Sequence, residues 1–279
     1  MTKLAAGFLC AAAVFAADPE LLRLAMPEAR ILAGADVAKV KHTPFGRFAV
    51  AQFSSAQDPQ YDAFVKASGF DPIESLDEIL LAKPDTGDTR LVLARGRFDT
   101  ARIIEAAGAA GAGAARYRGV PVLVSPQAWL AFLSGSIAAM GDAASVRVAV
   151  ERRETGAGPP KEIAARAEAA SKAYAIWFVI AVPPAELMAR LPGAGAIPGA
   201  LLGLVREARG GVNFGDSVWL SAELTTATAE DAANLAAVLK VAAGAIARAP
   251  AEVAIDGSTV KIRLALSEPQ IEALWKQAE

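Results

Sequence analysis

Apolar and polar positions alternate along the last third of the chain in the manner of a half-buried sheet. Over 217–226, Val218, Leu220, Ala222 and Leu224 fall on one face, and Val260, Ile262, Leu264 and Leu266 repeat the pattern in a hairpin over 252–266. A period of two sends one set to a core and the other to water. The turn of that hairpin is Asp256-Gly257, a pair suited to tight two-residue connections. Residues 176–182 are apolar at every position, which predicts a central strand buried on both faces. Further strands are predicted over 31–36, 79–82, 90–98 and 117–125, and in a hairpin of 129–133 with 137–140 across Ser134-Gly135-Ser136.

Between these strands the period becomes helical. Ile103, Ile104 and Ala107 follow Asp99, Val146 and Val150 follow Asp142, and Leu235, Val238, Leu239, Ala242 and Ile246 follow Thr228. Each leading residue offers a side-chain oxygen to the unpaired amides of a first turn. Asp18-Pro19, Asp58-Pro59 and Asp71-Pro72 combine such a cap with a proline, ahead of short helices over 20–25, 60–67 and 73–77. Thr43-Pro44 opens another helix with Phe45, Phe48 and Ala49 on one face, and Pro183-Pro184 opens one that runs to a Gly/Pro-rich loop over 192–199. Residues 161–172 carry Glu162 and Arg166 four apart and few large side chains, which predicts a solvated connector. Ser267 and Gln270 have capping-box spacing for a last helix with Ile271, Leu274 and Trp275 on its face.

The order strand, helix, strand, helix, hairpin, helix occurs twice. It predicts an α+β fold of two similar halves, each a mainly antiparallel sheet with helices packed on one face. The first half spans 18–155, a linker and connector helix span 156–172, and the second half spans 173–279.

The N-terminus reads as an export signal over 1–17, with Lys3 ahead of an uncharged apolar run over 4–14. Val14 and Ala16 suit a cleavage site after Ala16, and a cut after Ala17 also fits. The run is shorter than the roughly 20 residues of a spanning helix. Cys10, the only cysteine, follows Leu9 rather than a small residue and is discarded with the leader, which leaves a mature chain without disulfides. Loss of Lys3 takes the 28 basic residues to 27 against 30 acidic, a net charge of −3. This balance disfavours nucleic acid as a partner, and 54% hydrophobic residues exclude a disordered chain. A periplasmic or extracellular location after cleavage is expected, with no transmembrane segment in the mature chain.

Candidate chemistry is sparse. His42, the only histidine, lies among Lys39, Lys41 and Thr43 and reads as a surface residue. One histidine and no mature cysteine cannot build a zinc site of those ligands, and Asp85-Thr86-Gly87-Asp88 lacks the remaining ligands of a calcium loop. Ser258 and Lys261 have the spacing of a nucleophile pair, but in a hairpin odd spacing sends them to opposite faces. No catalytic, cofactor-binding or metal-binding residue is assigned. Arg95 with Arg97 and Arg116 with Arg118 would form an anion-binding patch if their strands were neighbours. Against this stands a solvated strand face. Trp219 lies opposite the apolar face of its strand, as a contact residue or beneath a partner element, while Trp129, Trp177 and Trp275 read as core.

Several segments resemble a family of exported bacterial proteins of uncharacterised function. The resemblance is carried by Gly69-Phe70-Asp71-Pro72 with Leu76, by 91–98, by Tyr117-Arg118-Gly119-Val120, and by 137–142 with Ser145-Val146-Arg147. It covers 18–153 and extends loosely into the second half. It implies export and fold but no catalytic residue. The expected function is an exported, non-catalytic binding or interaction protein for a protein, an envelope component or a small apolar ligand. The alternative is a secreted hydrolase using paired carboxylates.

Overall fold

The computed structural model describes residues 17–44, 46–47, 59–87, 89–126, 128–184, 199–215, 217–247, 251–267 and 270. The leader with Cys10, the residues Asp58, Phe45, Phe48 and Ala49, the expected helix after Pro184, and Ile271, Leu274 and Trp275 lie outside them.

The elements are α1 (Pro19–Leu24), β1 (Ile31–Asp36), α2 (Val37–Val40), α3 (Pro59–Ser68), α4 (Pro72–Ser75), β2 (Leu76–Lys83), β3 (Leu91–Gly96) and α5 (Thr100–Ala109). Then come β4 (Gly113–Tyr117), β5 (Val120–Val124), β6 (Trp129–Phe132), β7 (Ile137–Gly141), α6 (Ala143–Thr155), α7 (Lys161–Ala173) and β8 (Ile176–Ile180). The chain continues through α8 (Gly199–Leu202), β9 (Val205–Phe214), β10 (Val218–Thr226), α9 (Ala229–Ala247), β11 (Ala251–Asp256) and β12 (Thr259–Leu266).

The fold is α+β with antiparallel pairing, as the patterning predicts. The strands form one sheet of twelve, in the order β11-β12-β10-β9-β8-β1-β2-β3-β7-β6-β5-β4. The two stretches of sheet join where β1 pairs with β8, Ile31 opposite Ile180 and Gly34 opposite Trp177. From this seam both sides follow one course. The chain runs outward through two strands (β2 and β3, or β9 and β10) and leaves along a helix, α5 or α9. It then meanders back until β7 pairs with β3 and β12 pairs with β10.

Helices cover both faces of this sheet rather than one. Leu21 of α1, Val146 of α6 and Ala167 of α7 pack with Leu32, Leu80, Leu93, Val122 and Val179 on the first face. On the second face, Ile103 of α5 packs with Leu123 and Phe132, and Leu235 of α9 packs with Ile180, Leu224 and Val260. Neighbours such as Val122 and Leu123, or Val179 and Ile180, point to opposite sides of the pleat. With apolar side chains on both sides, each face needs cover. The expected central strand is β8, which feeds a core cluster on either side.

Other expectations are corrected. The connector helix is not solvated: α7 buries Ile163, Ala167, Ala170 and Ser171, because alanines let a helix lie close to a sheet. Arg166 pairs with Glu207 of β9 at 2.7 Å. The strand expected over 117–125 is broken by a hairpin turn, with φ of 47° at Arg118 and 78° at Gly119, so β4 precedes β5. Strand β9 is not among the expected strands, since Gly210-Gly211 and mixed charges hide its alternation. The caps hold at Asp18, Asp71, Asp99 and Asp142, and the Thr228 hydroxyl accepts from the Asp231 amide at 3.1 Å.

Gly34 sits under the Trp177 indole at the seam, and a Cβ there would lie 2.5 Å from the ring. Gly34→Ala is therefore expected to destabilise the protein by about 1–3 kcal/mol through overpacking. Urea unfolding of the two proteins measures it.

Candidate functional site

Three neighbouring strands set charged residues in a row on the face covered by α1. The register places Asp36 of β1 opposite Glu78 of β2, and Glu78 opposite Arg95 of β3. A bulge between Leu76 and Glu78 lets Leu76 turn to the Phe98 core on the other face while Glu78 stays in the row. The start of α1 closes over it. Asp18 pairs with Arg95, Glu20 pairs with Arg95 at 2.9 Å, and the Asp18 amide donates to Glu78 Oε1 at 3.2 Å. Asp36 pairs with Lys39 at 2.9 Å.

Burial pushes the Glu78 carboxyl from 4.5 up to about 7. The Asp18 amide opposes this, the Asp18 and Asp36 carboxylates add to it, and Arg95 opposes it weakly. Burial also works against the charge of Arg95, but its hydrogen bonds to Glu20 and Asp18 prevail and raise its pKa.

A separate cleft of about 670 Å³ opens between the α3–α4 loop, the end of β3 and the β6–β7 turn. Phe70, Asp71, Arg97, Phe98, Asp99 and Ser136 contribute to its lining. The Phe70 and Phe98 rings lie 5.6 Å apart and supply the apolar part. Gly69, with φ of 67°, turns the chain so that Phe70 enters the lining. Asp71 Oδ1 accepts from the Ile73 amide at 2.9 Å and Asp99 Oδ1 from the Arg102 amide at 3.2 Å. Both carboxylates therefore serve as helix caps. Arg97 Nη2 donates to the Glu74 carbonyl at 2.8 Å.

The four arginines that would form an anion patch if their strands were neighbours are not brought together. Their strands, β3 and β4, stand four places apart in the sheet, about 19 Å at the usual strand spacing. Arg95 lies in the charged row and Arg97 in the cleft. Arg116 donates to the Gly119 carbonyl at 2.9 Å and Arg118 pairs with Glu151 at 3.3 Å. His42 is exposed in the turn after α2. Trp219 is 37% exposed, with the Arg263 guanidinium 4.3 Å from its ring centre. Trp177 is buried, while Trp129 is half-buried beneath Arg147 at 4.7 Å. Lys261 pairs with Asp256 at 2.8 Å, away from any role with Ser258. Among the described residues, no group of three His, Cys, Asp or Glu side chains is placed to hold a metal ion. Sequence reasoning missed Glu78, because only the strand register puts it between Asp36 and Arg95.

No family model matches the chain, and no curated protein matches it in sequence. Its fold is similar to that of the solved protein TP0453. Crystal form III of TP0453 superposes with a TM-score of 0.64 at 9% identity, covering 91% of this chain and 96% of that one. Crystal form I gives a TM-score of 0.60 at 9% identity over 92% of this chain and 96% of that one. Crystal form IV gives 0.60 at 8% identity with the same coverage. At this identity the likeness is one of fold. It spans both sides of the β1–β8 seam, because over nine-tenths of each chain is covered.

Arg95→Met leaves the Asp18 and Glu20 carboxylates without their shared cation and takes a positive charge away from the neighbourhood of Glu78. The expected cost is about 1–3 kcal/mol. It is larger at pH 8 than at pH 5, because Glu78, pushed up to about 7, takes up a proton as the pH falls and no longer repels its neighbours. Urea midpoints of the two proteins at both pH values check this.

Proposed function

We propose that this chain is an exported, non-catalytic binding protein, working in the periplasm or outside the cell, whose ligand occupies the cleft lined by Phe70, Arg97 and Phe98. The observation that carries the reading is the separation of the cavity from the carboxyl that burial perturbs. Glu78, the carboxyl pushed up to about 7, does not line the cleft, and the cleft's own Asp71 and Asp99 are spent on helix caps. A hydrolase using paired carboxylates needs the raised acid and its partner where the substrate sits. The Asp18 carboxylate beside Glu78 is instead held by Arg95 and the Glu20 amide.

The cleft volume suits a small ligand or a short segment of a larger one. Its chemistry favours a molecule with an apolar part for the two rings and acceptor atoms for the Arg97 guanidinium. Export is supported by the leader pattern, and Ala17, 2% exposed, packs in the main core with Leu21 and Leu22. Among the described residues no helix is long and apolar enough to cross a membrane.

Native mass spectrometry of the protein recovered from its own host is expected to show a retained small molecule. Arg97→Ala, an exposed change within about 0.5 kcal/mol of neutral for the fold, is expected to lose it. A bare mass in both proteins, together with hydrolysis that disappears in Glu78→Gln, would replace the binding reading with the hydrolase.

A further inference from the structure

The charged row around Glu78 has fewer cations than carboxylates among the described ion pairs. Asp18 and Glu20 share Arg95, and Asp36 has Lys39. Glu78 receives the Asp18 amide and stands between Asp36 and Arg95 in the register, without a cation of its own among the described ion pairs. Directly before Asp18, Ala17 is 2% exposed, and its backbone nitrogen donates to the hydroxyl of Ser171 on α7, a residue 6% exposed. That hydroxyl gives its own proton to the Glu168 carbonyl at 2.9 Å, so its lone pairs face Ala17. The Ala17 nitrogen is one residue from the amide that donates to Glu78, which places it within about 7 Å of the carboxylate.

We propose that the α-amino group of Ala17, freed by cleavage after Ala16, is a further cation of this row and docks as an ammonium against Glu78 and Ser171. The inference rests on the export reading above. In the cleavage, water adds to the Ala16 carbonyl, the Ala16–Ala17 bond breaks, the leader departs as a carboxylate holding the water oxygen, and the Ala17 nitrogen takes up both protons of that water to become an ammonium. A neutral donor becomes a positive charge at the place where carboxylates crowd. Of the two cuts that the sequence allows, this one keeps a packed alanine. A cut after Ala17 removes that residue from the core and leaves the Ser171 hydroxyl without its donor. Processing would then complete the fold as well as release the chain, since α1 carries Leu21, Leu22 and Leu24 into the main core.

The test uses leaderless proteins that begin at Ala17, at a glycine added before Ala17, or at N-acetylated Ala17. Carbon-13 NMR follows the Glu78 carboxyl through a pH titration. Asp18, Asp36 and Arg95 act on Glu78 in all three, so only the terminal charge and its position differ. The free Ala17 chain is expected to titrate Glu78 at least one unit below the acetylated chain, which stays near 7. Its α-amino group is expected to titrate above the ordinary range of about 7.7–8.0, and Glu78→Gln is expected to remove that rise. The extra stability of the free chain over the acetylated one is confined to the range in which both groups are charged. It fades as acid protonates Glu78 and as base neutralises the amine. Identical Glu78 titrations in the free and acetylated chains would overturn the pairing and leave export standing. An exported chain whose mass begins at Asp18 would overturn this choice of cut, and an unprocessed chain would overturn the export reading with it.

Discussion

The β1–β8 pair carries the architecture. Each strand has two apolar faces, so neither can lie at an edge, and their mutual pairing turns two meanders into one sheet. The contact works because Gly34 lacks a side chain where Trp177 lies across it, and Gly211 leaves room beside Tyr174 on the other flank. A large aromatic ring can therefore stay on the sheet surface beneath the helical layer. With β1 and β8 fixed, β2 and β9 follow as their outer neighbours, and the crossover helices α5 and α9 reach the far edges on the same side of the sheet.

A sheet of this width has more surface than the described helices cover. The structure handles the remainder by sorting residues by face. On the outer strands β10 and β12, one side carries Leu224, Val260 and Ile262 against α9, and the other carries Trp219, Glu223, Lys261 and Arg263. Glu223 pairs with Arg209 at 2.6 Å, so this side is polar and internally balanced, as an antiparallel sheet facing water allows. The exception is the row of Asp36, Glu78 and Arg95, where charges sit beneath a helix rather than in water. Burial there raises the cost of any carboxylate without a counter-charge, and that cost sets Glu78 apart from the other acids.

Cavity and perturbed acid lie on different elements, and that separation shapes the functional reading. The cleft is built from turns: the α3–α4 loop, the segment after β3 and the β6–β7 turn. Loops held by a sheet are a common location for recognition. Gly69-Phe70-Asp71 forms one wall of the cleft. The likeness to TP0453 extends over both halves of the sheet but is one of fold, so the case for binding stands on the cleft itself.

Local chemistry was legible along the chain. Asp before a helix caps it, Asp-Gly closes a hairpin, and alternation over β10 and β12 names the buried side, because each rule acts over a few residues. The α+β class and antiparallel pairing follow from the same local signals. Four features depended on the tertiary structure. Helical cover on both faces, the close packing of α7 and the dispersal of the four arginines all turn on which strands become neighbours. The charged row is the clearest case. Asp18, Asp36, Glu78 and Arg95 are scattered along 78 positions of sequence and look like ordinary surface charges. Strand register and the docking of α1 bring them together, and burial then gives one of them a proton affinity that no local pattern encodes.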